Sequence, residues 1–157
     1  MNLISTQKQE QLNIDLKDYP KLFDIEEVRR SDKYIVRVYG SAIYEGEATN
    51  GKREERGIMK YKNGRLYIGE WKNDLREGKG FEKYSNGNTY EGNFIKNKAE
   101  GRGIYKWNNG QVYEGEWVAG KKHGDGIWKG SHDSYIGEWK NNKAEGYGVH
   151  IWNNSSF

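Results

Sequence analysis

The chain repeats itself, and the repeat limits what it can fold into more than any other feature. Placed in register on tyrosine, residues 44–157 fall into five segments. They read YEGEATNGKREERGIMKYKNGRL (44–66), YIGEWKNDLREGKGFEKYSNGNT (67–89), YEGNFIKNKAEGRGIYKWNNGQV (90–112), YEGEWVAGKKHGDGIWKGSHDS (113–134) and YIGEWKNNKAEGYGVHIWNNSSF (135–157). Four are 23 residues long and the fourth is 22. Each carries Tyr-x-Gly-x-aromatic, a charged stretch, Gly-x-Gly-apolar, then an aromatic residue and an Asn-Gly-like turn. Self-similarity at a fixed short period means stacked supersecondary units, each burying its face against the next.

One unit shows which supersecondary structure this is. Tyr67, Gly69 and Trp71 are spaced by two and share one face of a strand; Gly78, Gly80 and Tyr84 share a face by the same parity. Ser85-Asn86-Gly87-Asn88 supplies residues that tolerate positive φ between strands. Each repeat is therefore read as a β-hairpin, with rings of Tyr and Trp lying on backbone that glycine leaves bare. On the opposite face Ile58, Phe81, Ile104, Ile127 and Val149 form an apolar ridge. Glu47, Glu70, Glu116 and Glu138 have the parity to pair with Lys60, Lys83, Lys106 and Lys129 across the strands. Three departures stand out: Ala48 replaces an aromatic residue, Arg56 takes the place of the first glycine of its pair, and Gly130 replaces the second-strand aromatic residue of the fourth repeat.

Composition agrees with a core of this kind. Of 157 residues only 34% are hydrophobic, but 14% are aromatic, with six Trp, twelve Tyr and 21 Gly. Disordered chains are depleted in aromatic residues. Rings that bury roughly 150–250 Å² each can replace an aliphatic core.

The repeated frame resembles the MORN (membrane occupation and recognition nexus) repeat family over about 114 residues, from Tyr44 to Phe157. The resemblance implies an all-β fold: an elongated single-layer ribbon or solenoid of about five consecutive antiparallel MORN β-hairpins, with a short helical N-terminal extension. Ten strands at roughly 4.8 Å make a ribbon of about 45–50 Å. The domain reading is an extension at 1–30, a cap or a docking arm, followed by a repeat domain at 31–157. Within that domain KYIVRVYGSAI alternates as a capping hairpin at 33–43. In DYPKLFDIEEVRR, Asp18 or Tyr19 is the predicted N-cap and Pro20 the first helical residue, with Leu22, Ile25 and Val28 as an apolar stripe.

Catalysis finds little footing. Ser131-His132-Asp133-Ser134 is no triad, because neighbouring strand residues point to opposite faces. His123, His132 and His150 fall at different repeat positions without metal-ligand spacing. The Gly-x-Gly pairs precede a strand, where a phosphate-binding fingerprint opens a helix. The expectation is no enzyme, no cofactor and no metal. A net charge of +3 from interleaved signs argues against nucleic acid as a partner. Zero cysteines, no signal-like N-terminus and no long apolar run lead to an expected cytoplasmic location, neither secreted nor membrane-spanning.

What is left is surface. By resemblance the chain is a protein–protein interaction scaffold or assembly subunit, in a cytoskeletal or ciliary axonemal complex, that binds a partner helix or extended peptide along the sheet. The candidate contacts are Tyr67, Trp71, Tyr84, Tyr90, Phe94, Trp107, Tyr113, Trp117, Tyr135 and Trp139, ring types that dominate binding hot spots. End-to-end pairing of copies is a further expectation. Two alternatives stand beside it. One is recruitment to anionic phospholipid through basic hairpin loops at Lys96, Lys98, Lys121, Lys122, Lys140 and Lys143. The other is a regulatory fragment related to the MORN module of a larger enzyme.

Overall fold

The computed structural model describes residues 12–153. Eleven strands form one antiparallel sheet in which every strand pairs only with its neighbours in sequence. They are β1 (Tyr34–Tyr39), β2 (Ala42–Thr49), β3 (Lys52–Tyr61), β4 (Leu66–Lys72), β5 (Leu75–Lys83), β6 (Thr89–Ile95), β7 (Lys98–Lys106), β8 (Val112–Val118), β9 (Lys121–Lys129), β10 (Asp133–Lys140) and β11 (Lys143–Trp152). The five repeats are the hairpins β2–β3, β4–β5, β6–β7, β8–β9 and β10–β11, and β1 pairs with the outer side of β2.

The register places glycine opposite glycine on every strand from β2 to β11. One unbroken row runs Gly46, Gly57, Gly69, Gly80, Gly92, Gly103, Gly115, Gly126, Gly137, Gly148. The repeat tyrosines lie over this row. A Cβ added at Gly80 would stand 2.6 Å from the Tyr67 hydroxyl, and one at Gly103 would stand 2.5 Å from Tyr90 Cε2. No side chain fits under a ring at that separation.

The other glycine of each pair does a different job. Gly78, Gly101, Gly124 and Gly146 have φ between +63° and +91° and stand where the register slips, just beyond the bulge. In the first repeat this position belongs to Glu55, with φ +61°, which corrects the expectation of Arg56. The strand-one acids serve the same bulge. Glu70 accepts from the Lys79 N–H, Glu116 from the Asp125 N–H at 2.7 Å, and Glu138 from the Tyr147 N–H. The expected Glu–Lys pairs do not form: Lys83 stands opposite Leu66, four residues from Glu70, or about 13 Å along the strand. Glu47 pairs with Arg56 instead, at 2.6 Å.

The charged stretches shrink to two-residue turns. Asn73-Asp74, Lys96-Asn97 and Asn141-Asn142 all have positive φ at both positions, the type I′ pattern that matches strand twist. Leu75, Arg76 and Glu77 are already strand.

Residues 12–30 lie across the back face as a strap. Leu12, Ile14, Leu16, Tyr19, Leu22, Phe23 and Ile25 pack on Ile58, Leu66, Ile68 and Phe81. Helix α1 spans Ile25–Arg29, with Asp24 as its cap through a 3.0 Å bond from the Glu26 N–H. A 3-10 turn at Leu16–Asp18 comes before it. The predicted helix at Asp18–Pro20 is therefore displaced: Asp24 supplies the better cap, and the non-helical chain before it spreads its apolar residues over several strands. Fully buried Glu45 holds both ends of the strap, accepting from the Leu12 N–H and the Arg29 guanidinium. Residues 1–11, part of the predicted extension, lie outside the described residues.

Glu55 generates a prediction. A left-handed non-glycine residue costs about 1–2 kcal/mol, its ion pair with Lys33 is exposed on both sides, and such pairs contribute little. Glu55→Gly should stabilise the chain by about 0.5–1 kcal/mol in denaturant unfolding, once the backbone entropy of glycine is counted; destabilisation would mean the ion pair outweighs the backbone.

Candidate functional site

Two layers make up the ring face. The floor is a zigzag of edge-to-face contacts: Tyr44–Trp71, Trp71–Tyr67, Tyr67–Phe94, Phe94–Tyr90, Tyr90–Trp117, Trp117–Tyr113, Tyr113–Trp139 and Trp139–Tyr135, with centroids 4.9–5.6 Å apart. Perpendicular rings at this spacing align the positive edge of one with the negative face of the next. Polar atoms of the floor are paired inside it. Each tyrosine hydroxyl donates to the carbonyl three residues on, for example Tyr67 to Glu70 at 2.7 Å and Tyr90 to Asn93 at 2.8 Å. Trp71, Trp117 and Trp139 donate their indole N–H to Gly57, Gly103 and Gly126 of the preceding repeat at 3.1–3.2 Å. These bonds tie repeat to repeat.

Of the ten predicted contact residues, Tyr67, Trp71, Tyr90, Phe94, Tyr113, Trp117 and Trp139 are buried in this floor. Tyr135, the last ring of the floor, is half-buried, and Tyr84 and Trp107 are half-buried above the floor. Tyr61, Tyr105 and Trp128, which parity alone places on the same face, are half-buried with them. Tyr105 joins the two layers, 4.7 Å from Trp107 and 6.0 Å from Trp117 between centroids.

Cations of the chain lie over these rings. The Arg53 guanidinium is 4.7 Å from the Trp71 centroid. The Arg76 guanidinium is 5.7 Å from Tyr67 and 5.3 Å from Phe94. The Lys122 ammonium is 5.1 Å from Trp107, 5.5 Å from Tyr113 and 4.9 Å from Trp139. All three occupy one repeat position, directly across the hairpin from the aromatic site of strand one, which Ala48 fills in the first repeat. Ala99 and Ala144 hold that position in the third and fifth repeats. Sequence reasoning missed this row because it read the position as part of a charged hairpin loop; the signal was the recurrence of Arg, Arg and Lys nine residues after Tyr44, Tyr67 and Tyr113. One acid is buried on this face, Glu82, paired with Arg65 and Arg76.

Burial changes the chemistry of these groups. Desolvation pushes the Lys122 ammonium below its ordinary pKa. Among the six lysines predicted for lipid, Lys122 alone is thus taken into the ring face; Lys96, Lys98, Lys121, Lys140 and Lys143 are exposed. Ser131 and His132 are exposed, and Asp133 contacts His150 at 2.6 Å, not its sequence neighbour His132. Among the described residues no three His, Cys, Asp or Glu side chains group to hold a metal. No helix among them is long and apolar enough to cross a membrane.

Burial also raises the phenols of Tyr44, Tyr67 and Tyr90, and pushes Tyr113 up to about 12. With native values above the unfolded value of 10, stability is fully present below pH 10 and is lost as pH rises through about 12. Ionisation of these four buried tyrosines and loss of strand signal should therefore occur together in one cooperative step; tyrosinate absorbance from the full set of tyrosines with the sheet intact would contradict the burial.

The family model for the MORN repeat matches residues 44–64, 67–89, 90–112, 113–131 and 135–157. A search of curated proteins returns no match.

Proposed function

The chain belongs to the MORN repeat family, whose repeats are in general non-catalytic modules of membrane or protein interaction, and from that premise we propose a non-enzymatic scaffold or assembly subunit. It binds a partner helix or extended peptide along the ring face. The observation that carries this reading is the second layer of rings. Tyr61, Tyr84, Tyr105, Trp107 and Trp128 stand half-exposed on a floor that is already satisfied. Half-exposed aromatic side chains on a rigid support present large contact area at low entropic cost. The candidate contacts accordingly narrow to Tyr84 and Trp107 above the floor and to half-buried Tyr135 at its end, with Tyr105 and Trp128 added. A cytoskeletal or ciliary axonemal assembly is a setting that suits such a scaffold.

The lipid alternative draws on the five exposed lysines beside the turns. Glu54 and Glu100 stand at the same edge and accept from the Asn73 and Ala119 N–H groups of the next turn. They offset part of the attraction that anionic lipid exerts.

A photo-crosslinking residue at Trp107 or Tyr84, compared with one at Lys140, separates the two. The proposed function predicts one protein adduct in native extracts from the ring-face positions, and no salt-sensitive sedimentation with phosphatidylserine vesicles. Vesicle binding that weakens with salt and on Lys121→Glu, without ring-face adducts, would overturn it in favour of the membrane reading.

A further inference from the structure

The third repeat has a slot for a cation and no cation of its own. In the fourth repeat Lys122 rests among three rings: Tyr113 of its own repeat, Trp139 of the next and Trp107 of the one before. The same three repeat positions around Ala99 are Tyr90, Trp117 and Tyr84. All three line a cavity of about 200 Å³ in whose wall Ala99 lies. Tyr90 and Trp117 are 5.3 Å apart at 84°, the arrangement over which Arg76 lies one repeat earlier on Tyr67 and Phe94.

We propose that this slot receives an arginine side chain from the partner that lies along the ring face, an inference that rests on the interaction reading above. Cation–π attraction selects a cation for a site walled by Tyr and Trp, and Arg is the commoner choice. The backbone selects guanidinium. Arg53 and Arg76 each donate a second bond to a carbonyl of the next repeat's turn, Asp74 at 3.1 Å and Asn97 at 2.8 Å. The corresponding turn residue beyond Ala99 is Gly120, which also lines the cavity and brings no side chain to fill it. Arg65 and Arg76 at the cavity wall are committed to Glu82, and Lys98 at its rim is exposed. Repulsion does not close the slot, because Arg53 and Arg76 already coexist at the same repeat-to-repeat spacing, two strands or about 10 Å.

The full chain is titrated with N-acetyl-arginine methylamide at constant ionic strength, with N-acetyl-norleucine methylamide as control, following the Trp117 indole N–H by NMR. A saturable shift at Trp117, absent at Trp71 where Arg53 already sits, is expected for the arginine probe at least severalfold more tightly than for the control. Ala99→Arg should abolish that shift and raise Tm by about 1–4 °C, whereas Ala99→Met should not raise it. No saturable shift at Trp117, equal response to norleucine, or full retention in Ala99→Arg would overturn the slot; the probe measurement on the unsubstituted chain decides even where a variant does not fold. Ring-face crosslinks that persist while the probe fails overturn the slot alone, and probe binding without ring-face crosslinks overturns the interaction reading.

Discussion

A tyrosine ring lying on bare glycine backbone is the contact on which everything else here depends. It recurs once per hairpin along a row of glycines that crosses ten strands. Because the ring is held at contact distance, its hydroxyl reaches a carbonyl three residues on, and its face meets the Trp or Phe of the next repeat edge-on. The indole N–H then closes on a glycine carbonyl of the repeat before it. A single-layer sheet has no second sheet to bury against; this chain makes its core from rings laid flat within the layer.

That solution has a functional consequence. The floor uses up its own polar atoms and most of its ring surface, so its regular rings alone do not make one stretch of the ribbon bind differently from another. That difference falls to the irregular positions: the second-strand rings, the cations nine residues after three of the repeat tyrosines, and the two repeats where alanine stands in their place. The back face follows the same logic. There the chain's own strap covers Ile58, Ile68 and Phe81, while Ile136 and Val149, on the same row, stay exposed.

Much of the fold was legible because period-two parity and a 23-residue repeat leave few alternatives. Tyr67, Gly69 and Trp71 had to share a face, and the hairpins followed. Parity could not separate the two glycines of a pair, because the bulge between Gly69 and Trp71 breaks the count. Gly80 is a ring platform, and Gly78 supplies a positive φ beside the Glu70 carboxylate. The same bulge, with a turn of only two residues, moved Arg76 and Lys122 from the charged stretch between the strands to the ring face. Pro20 looked like a helix start, but Asp24 caps the helix, and its choice depends on where the back-face ridge lies. The site was legible as a face and not as residues. Aromatic side chains in phase mark both a core and a binding surface, and only burial separates Trp117 from Trp107.

The central claim is tested most directly by a double-mutant cycle between Tyr90→Leu and Gly103→Ala in denaturant unfolding. If the ring rests on the glycine, Gly103→Ala should cost about 3 kcal/mol with Tyr90 present and far less once the ring is gone, a coupling of at least about 1.5 kcal/mol. Costs that add to within about 0.5 kcal/mol would place the ring elsewhere and contradict the account.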